Sequence, residues 1–193
     1  MSNSVRVRFA PSPTGYLHVG GARTALYNYL FAKKYGGTYI LRVEDTDEER
    51  STDESMKMQI RDMTWLGLNW DEGIDPESFA DLGSKGPYRQ SRRREVYSEY
   101  VDRLLNSGKA FYCFMTEQEI DSRREDLKAK GLPLQLKSDY RDLPIEEARA
   151  KIKAGESAVV RFRIPDRNKE YTFKDLVRGE VTANSDAVGD FAI

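Results

Sequence analysis

The sequence predicts an α/β fold built on a parallel sheet, and three stretches near the N-terminus carry this prediction. Residues 5–10 form a short apolar strand pattern, residues 22–35 a helical pattern, and residues 38–43 are rich in β-branched and aromatic side chains. A strand, a helix and a strand in this order make a βαβ unit with a right-handed crossover. Ligands of such sheets bind beyond the carboxyl ends of the strands, so we expect a site at residues 8–12 and 44–47.

The composition is that of a soluble globular chain. The 193 residues carry a formal net charge of -1, with 33% charged and 39% hydrophobic residues. The sequence has no run of about eighteen apolar residues, and residues 1–6 lack the apolar core of a signal peptide. Cys113 is the single cysteine, which is typical of a reducing compartment, so we expect a cytoplasmic location. With this charge balance, contacts to nucleic acid must come from local patches.

A loop of Pro, Ser, Thr and Gly joins the first strand to the first helix and ends at His18, Gly20 and Gly21. Such a loop binds phosphates, because the first N–H groups of a helix lack partners and its dipole favours an anion. A ring nitrogen of His18 could donate to a phosphate oxygen, and the glycines allow close approach. The pattern is neither GxGxxG nor GxxxxGK[ST]. The residues alone therefore indicate either a nucleotide loop or an ordinary turn histidine.

Three carboxylates, Glu44, Asp45 and Asp47, follow the second predicted strand. They leave two interpretations open. One is a solvated turn that caps the next helix, and the other is a magnesium site, for which the sequence shows no clear second set of ligands.

Further elements follow from periodicity. Residues 53–66 predict a helix with Met56, Ile60 and Met63 on its buried face, and Trp65 is assigned to packing. Residues 75–88 are expected to be a loop. The other predicted elements are helices at 92–106, 117–130 (behind a capping box at Thr116) and 144–153, and strands at 158–165, 171–173, 180–182 and 186–193.

The stretch from Pro11 to Gly21 resembles the signature region of class I aminoacyl-tRNA synthetases, with residues 18–21 (HVGG) at the place of the HIGH motif. Gly21 stands where many members of this class have a second histidine. The surrounding sequence resembles the glutamyl-tRNA synthetase family of the bacterial and organellar type. That resemblance is carried by Arg8, residues 10–15 (APSPTG), residues 22–25 (ARTA) and residues 88–93 (YRQSxR).

The resemblance implies a ligase that activates glutamate with ATP and transfers it to the 3′ end of tRNA(Glu). The implied partners are L-glutamate, ATP as its Mg²⁺ complex and the acceptor end of the tRNA. The resemblance also implies a monomer that does not associate with a membrane. In the implied site His18 is the catalytic residue, and it binds ATP together with Gly20 and Gly21. The implied glutamate-binding residues are Arg8, Ala10, Ser12 and Glu44. Thr46, Asp47 and Arg50 are implied to lie near the 3′ end of the tRNA. The residue types suit these roles, because a guanidinium fork matches a carboxylate and a carboxylate pairs with an ammonium group.

The resemblance also implies a domain plan. Residues 1–109 are expected to form the first half of a Rossmann-like catalytic domain, residues 110–187 an inserted small α+β module that contacts the acceptor stem, and residues 188–193 the start of the return to the catalytic domain. Some relatives hold zinc in the inserted module with a C-x-C pair. Here Met115 follows Cys113 at the second position, so we expect no zinc site.

The lysine-rich KMSKS motif of the family is absent from the 193 residues. We therefore interpret the chain as an N-terminal fragment and expect it to be inactive, or nearly so, by itself. Four alternatives stay open: the paralogue that glutamylates the queuosine base of a tRNA, a glutaminyl-tRNA synthetase, a small nucleotidyltransferase of the same superfamily, and a non-catalytic tRNA-binding or regulatory fragment.

Overall fold

The computed structural model describes residues 5–132, 137–164 and 168–193. The chain forms two compact units, one ending at Val96 and the other beginning at Tyr97. The elements of the first unit are β1 (Arg6–Phe9), α1 (Val19–Lys34), β2 (Thr38–Leu41), α2 (Asp53–Trp65), β3 (Gly73–Ile74) and β4 (Asp81–Leu82). Helix α3 (Arg94–Asn106) begins in the first unit and continues in the second.

The predicted βαβ unit is confirmed. Strands β1 and β2 pair in parallel, with Phe9 opposite Leu41. The pairing continues beyond the strand ends, because Arg42 N–H donates to the Phe9 carbonyl at 3.1 Å and Glu44 N–H donates to the Pro11 carbonyl at 2.9 Å. The two loops that leave this edge of the sheet therefore run side by side.

The core of the first unit lies between this sheet and the helices. Its largest fully buried side chains include Tyr39, Leu41, Ile60 and Met63. The packing assigned to Trp65 is wrong, because this side chain is 84% exposed. Residues two positions apart on a helix point to different faces, so the burial of Met63 directs Trp65 to solvent.

Helix α1 starts earlier than predicted and stops where predicted. It begins at Val19 rather than at residue 22, because the side chain of His18 caps it. At its end Gly36 adopts a left-handed φ of 59°, and a Cβ on Gly37 would lie 2.4 Å from the carbonyl oxygen of Val5. A side chain has no space at that position.

Other boundaries differ by small amounts. Within the predicted loop at 75–88, β4 pairs with β3 in an antiparallel hairpin that the sequence pattern did not indicate. Near the C-terminus the strand expected from residue 186 is wrong at its start, because Ser185–Val188 form the short helix α6. Strand β9 (Phe191–Ala192) follows it.

The second unit combines helices with antiparallel strands, as the sequence predicts. Its remaining elements are β5 (Ala110–Cys113), α4 (Glu117–Ala129), α5 (Ile145–Lys153), β6 (Val159–Phe162), β7 (Glu170–Asp175) and β8 (Gly179–Asn184). Strand β6 pairs with β5 on one side and β9 on the other, and β7 and β8 form a hairpin. The predicted capping box at Thr116 is confirmed, since its side chain and that of Glu119 cap each other's backbone.

The buried residues Phe111, Cys113 and Met115 form a small core in this unit. The predicted module limits of 110 and 187 stay a prediction, and the predicted strand end at Pro165 lies outside the described residues. Within the described ranges, no helix combines the length and the apolar character needed to cross a membrane.

Candidate functional site

His18 organises the start of α1. The backbone N–H groups of Gly20 and Gly21 donate to its Nδ1 atom at 3.1 and 3.3 Å. Because Nδ1 accepts these hydrogen bonds, the neutral ring carries its proton on Nε2. The N–H groups of Gly20 and Gly21 at the helix start therefore have a side-chain partner. In this structure the side chain of His18 occupies them, and the donor that remains available is Nε2–H on an exposed ring.

The two glycines also have a local packing reason. A Cβ on Gly20 would lie 3.0 Å from the His18 ring, and one on Gly21 would lie 3.0 Å from Leu17 Cδ1. The absence of a side chain at Gly20 thus leaves room for the His18 ring over the helix start, and its absence at Gly21 leaves room for Leu17.

An open cavity of about 480 Å³ lies beside His18. Its lining consists of Phe9, Pro11, Ser12, Thr14, Gly15, Tyr16, Leu17, His18, Gly21 and Gln59. The predicted site residues Ser12, His18 and Gly21 line this cavity. It is large enough for part of a small-molecule ligand.

Sequence reasoning missed Gln59, which holds the loop that forms this cavity. Its Nε2 donates to the carbonyl oxygens of Ser12 at 3.1 Å and Gly15 at 2.8 Å. Gln59 is buried on α2 between Met56 and Ile60. A glutamine at a helical position that the 3.6-residue period assigns to the core was the signal that could have identified it.

Arg8 and Glu44 meet at the carboxyl ends of the two parallel strands, as predicted. Arg8 Nη1 lies 3.6 Å from Glu44 Oε1. Arg42 also contacts this oxygen, with Nη2 at 2.5 Å and Nε at 3.1 Å. The backbone bond from Glu44 to Pro11 places Ala10 and Ser12 on the neighbouring loop. The structure thus brings Arg8 and Glu44 together, and Ala10 and Ser12 flank the residue that Glu44 bonds.

Asp45 has a different environment. Its carboxylate is buried and accepts hydrogen bonds from Arg89 Nε at 2.9 Å, Ser91 N at 2.9 Å and Ser91 Oγ at 2.7 Å. Burial raises the pKa of Asp45, but the hydrogen bonds from Ser91 and Arg89 outweigh it and lower the pKa below its usual value. Arg89 also pairs with Asp53 at 2.9 Å. These contacts give residues 88–92 a structural role beside the site.

Thr46, Asp47 and Arg50 lie on the turn that follows. Asp47 accepts hydrogen bonds from Arg50 N at 3.1 Å and Arg50 Nε at 2.7 Å, and these bonds lower the pKa of Asp47. Thr46 and Arg50 are exposed. The turn presents polar groups to solvent, and their assignment to the tRNA 3′ end stays a prediction.

The three acidic residues are engaged in separate ion pairs. Each pairs with a different arginine: Glu44 with Arg42, Asp45 with Arg89 and Asp47 with Arg50. Within residues 5–132, 137–164 and 168–193, no group of three or more His, Cys, Asp or Glu side chains is placed to hold a metal ion. The residues present do not fit a magnesium ion held by the protein at this turn.

Comparison with known proteins agrees with this geometry. The family model described as tRNA synthetases class I (E and Q), catalytic domain, matches residues 4–193. A glutamate–tRNA ligase of Bdellovibrio bacteriovorus is 58% identical over 193 residues, which are 100% of this chain and 39% of that protein. A glutamate–tRNA ligase of Bacillus subtilis is 46% identical over the same shares of both chains.

Solved structures give the same result. A glutamate tRNA ligase from Elizabethkingia meningosepticum, in complex with its amino acid, is 38% identical with a TM-score of 0.83. It is matched over 98% of this chain and 38% of its own. A glutamate-tRNA synthetase from Elizabethkingia anophelis has a TM-score of 0.84 at 37% identity and is matched over 98% of this chain and 39% of its own.

This chain spans about two-fifths of the length of the curated relatives it matches. The HVGG loop at the end of a parallel strand, the acidic turn beside it and the family match over residues 4–193 lead to one conclusion. The chain belongs to the class I tRNA synthetases (E and Q) and lies in their catalytic domain.

Proposed function

We propose that this chain supplies the first part of the glutamate- and ATP-binding site of a glutamate–tRNA ligase that acts on tRNA(Glu). The observation that carries the proposal is the meeting of the His18 loop with Glu44 at the carboxyl ends of β1 and β2. The relatives that match the whole chain are named as ligases of this kind.

The proposed reaction has two steps. The α-carboxylate of glutamate attacks the α-phosphate of ATP, which releases pyrophosphate and forms glutamyl-adenylate. A hydroxyl of the terminal adenosine of the tRNA then attacks the activated carbonyl and releases AMP. The protein contributes positioning and charge stabilisation, because the substrates supply the reacting groups.

His18 is the proposed catalytic residue of the first step. The hydrogen bonds from Gly20 and Gly21 to Nδ1 fix its ring and its tautomer, and they leave Nε2–H to donate to a phosphate oxygen. Gly20 and Gly21 are proposed to let the nucleotide approach the helix start. Mg²⁺ enters with ATP in this proposal, because the carboxylates of the acidic turn are already paired with arginines.

Arg8, Ala10, Ser12 and Glu44 are the proposed glutamate-binding residues. Arg8 is close to Glu44 but not hydrogen-bonded to it, so its guanidinium fork is able to turn to a substrate carboxylate. Glu44 is proposed to pair with the α-ammonium group. Thr46, Asp47 and Arg50 are the proposed contacts to the 3′ end of the tRNA, and residues 110–187 the proposed contacts to its acceptor stem.

Ligand binding to the purified chain tests this proposal. We expect His18→Asn to weaken ATP binding about tenfold and to leave glutamate binding unchanged, because one hydrogen bond to a charged group is lost. Asn is itself a good N-cap, so the variant keeps α1 intact. We expect Glu44→Gln to weaken glutamate binding and to spare ATP binding. Titration calorimetry with L-glutamate, L-glutamine and ATP measures these differences.

Two outcomes contradict the proposal. One is a chain that binds neither L-glutamate nor ATP, and the other is a His18→Asn variant that binds ATP as the unchanged chain does. Glutamate-dependent pyrophosphate exchange is expected to stay near background for this chain, and clear exchange would show that its residues suffice for activation.

A further inference from the structure

The contacts of Glu44 are unevenly divided between its two carboxylate oxygens. Arg42 Nε at 3.1 Å, Arg42 Nη2 at 2.5 Å and Arg8 Nη1 at 3.6 Å all contact Oε1. No described residue donates a hydrogen bond to Oε2. A carboxylate has lone pairs on both oxygens, so half of the hydrogen-bonding capacity of Glu44 is left for another group.

The backbone explains why Arg42 contacts this carboxylate. Arg42 and Glu44 are two positions apart in an extended segment whose N–H groups bond to the carbonyls of Phe9 and Pro11. Side chains two apart in extended backbone point to the same side. The sheet edge thus presents the guanidinium and the carboxylate together.

The two nitrogens of Arg42 hold one oxygen as a fork. A planar fork fixes the direction of its partner, whereas a lysine ammonium is a point charge that moves between both oxygens. Glu44 is only partly buried, with 27% of its side chain exposed. Among the described residues, Arg42 donates the side-chain hydrogen bonds to the Glu44 carboxylate, and these bonds constrain its orientation.

We propose that Arg42 is a positioning residue for amino-acid recognition, which grips Oε1 of Glu44 and so leaves Oε2 aimed to accept the α-ammonium group of the substrate. This inference rests on the proposed function, in which Glu44 pairs with that ammonium group. It adds a residue that does not touch the substrate itself. It also explains how a carboxylate already paired with arginine still accepts a second cation.

The test is the Arg42→Lys variant, because it keeps the positive charge and removes only the fork. We expect L-glutamate to bind about 3- to 10-fold more weakly to this variant, since an orientation that was fixed beforehand is now fixed during binding. ATP binding, and the binding of glutarate, which lacks the ammonium group, are expected to stay unchanged. A general structural defect would weaken all three ligands.

Arg6→Lys is the matched control. Arg6 forms a similar two-nitrogen pair with Glu72, with both bonds at 2.7 Å, and it is not among the residues assigned to glutamate. This variant is expected to bind L-glutamate as the unchanged chain does. Equal glutamate binding by the Arg42→Lys variant and the unchanged chain overturns the role of Arg42.

Glu44→Gln separates the two hypotheses. If it abolishes glutamate binding while Arg42→Lys does not, the inference fails and the proposed function stands. If neither variant changes glutamate binding, the role of Glu44 fails as well. The NMR signal of Arg42 Nε–Hε tests the hydrogen bond to Glu44 in the absence of ligand. We expect Glu44→Gln to shift this signal, and an unshifted signal overturns the inference.

Discussion

Arg89 Nε donates to Asp45 Oδ2 at 2.9 Å, and the Asp45 carboxylate is only 5% exposed. This buried ion pair links the acidic turn after β2 to the segment at residues 88–92. We expect Asp45→Asn to lower the free energy of unfolding by about 2–3 kcal/mol, because it leaves Arg89 with a weaker partner inside the protein. Urea denaturation measures this loss.

The control for this prediction is Asp47→Asn, which removes an exposed pair with Arg50 on the same turn. Exposed ion pairs contribute little to stability. This variant is expected to keep the urea midpoint of the unchanged chain. A midpoint for Asp45→Asn that also stays unchanged would show that the buried pair does not stabilise the fold.

The pair between Arg6 and Glu72 predicts a pH dependence. Hydrogen bonds from Arg6 and Tyr88 lower the pKa of Glu72 from 4.5 to about 2. Because the pKa is depressed in the folded state, the stabilisation is complete above pH 4.5 and is lost as the pH falls towards 2. We expect Glu72→Gln to cost about 1–2 kcal/mol at pH 7, and this difference to disappear over that acidic range. Thermal unfolding of both proteins at several pH values measures it, and a difference that stays constant contradicts the prediction.

For Tyr39 we expect a substitution that does not lower the free energy of unfolding. Its side chain is fully buried, and its hydroxyl has no hydrogen-bond partner among the described residues. Burial also raises the pKa of Tyr39. An unpaired buried hydroxyl carries a desolvation cost, so Tyr39→Phe is expected to leave stability unchanged or to raise it by about 1 kcal/mol. A loss of more than about 1 kcal/mol in urea denaturation would show that the hydroxyl has a partner.

Met63 and Trp65 test the orientation of α2. Met63 is 1% exposed and Trp65 is 84% exposed. Met63→Ala is expected to cost about 2–4 kcal/mol because it leaves a cavity, whereas Trp65→Ala is expected to stay within about 0.5 kcal/mol. Urea denaturation of the two variants compares these costs. A larger loss for Trp65→Ala than for Met63→Ala would contradict the observed orientation.

The elements that were predicted well have strong local signals. The capping box at Thr116, the glycines after α1 and the β-branched run of β2 each constrain the backbone within a few residues. The hairpin of β3 and β4 was missed because each of its strands has two residues, which is too short for an alternating pattern. Trp65 was wrongly assigned to packing because its residue type, rather than its angular position on α2, decided the assignment.

The sequence by itself determined the βαβ unit, the family resemblance and the set of candidate residues, since these depend on local patterns and on residue types at fixed spacing. Only the tertiary structure decided how they are partnered. It placed the Gly20 and Gly21 N–H groups on His18, Gln59 under the loop, and Arg42 on one oxygen of Glu44. The bonds of Gln59 and Asp45 join positions more than forty residues apart. Such partners are set by the packing of the sheet and helices, and no local pattern contains them.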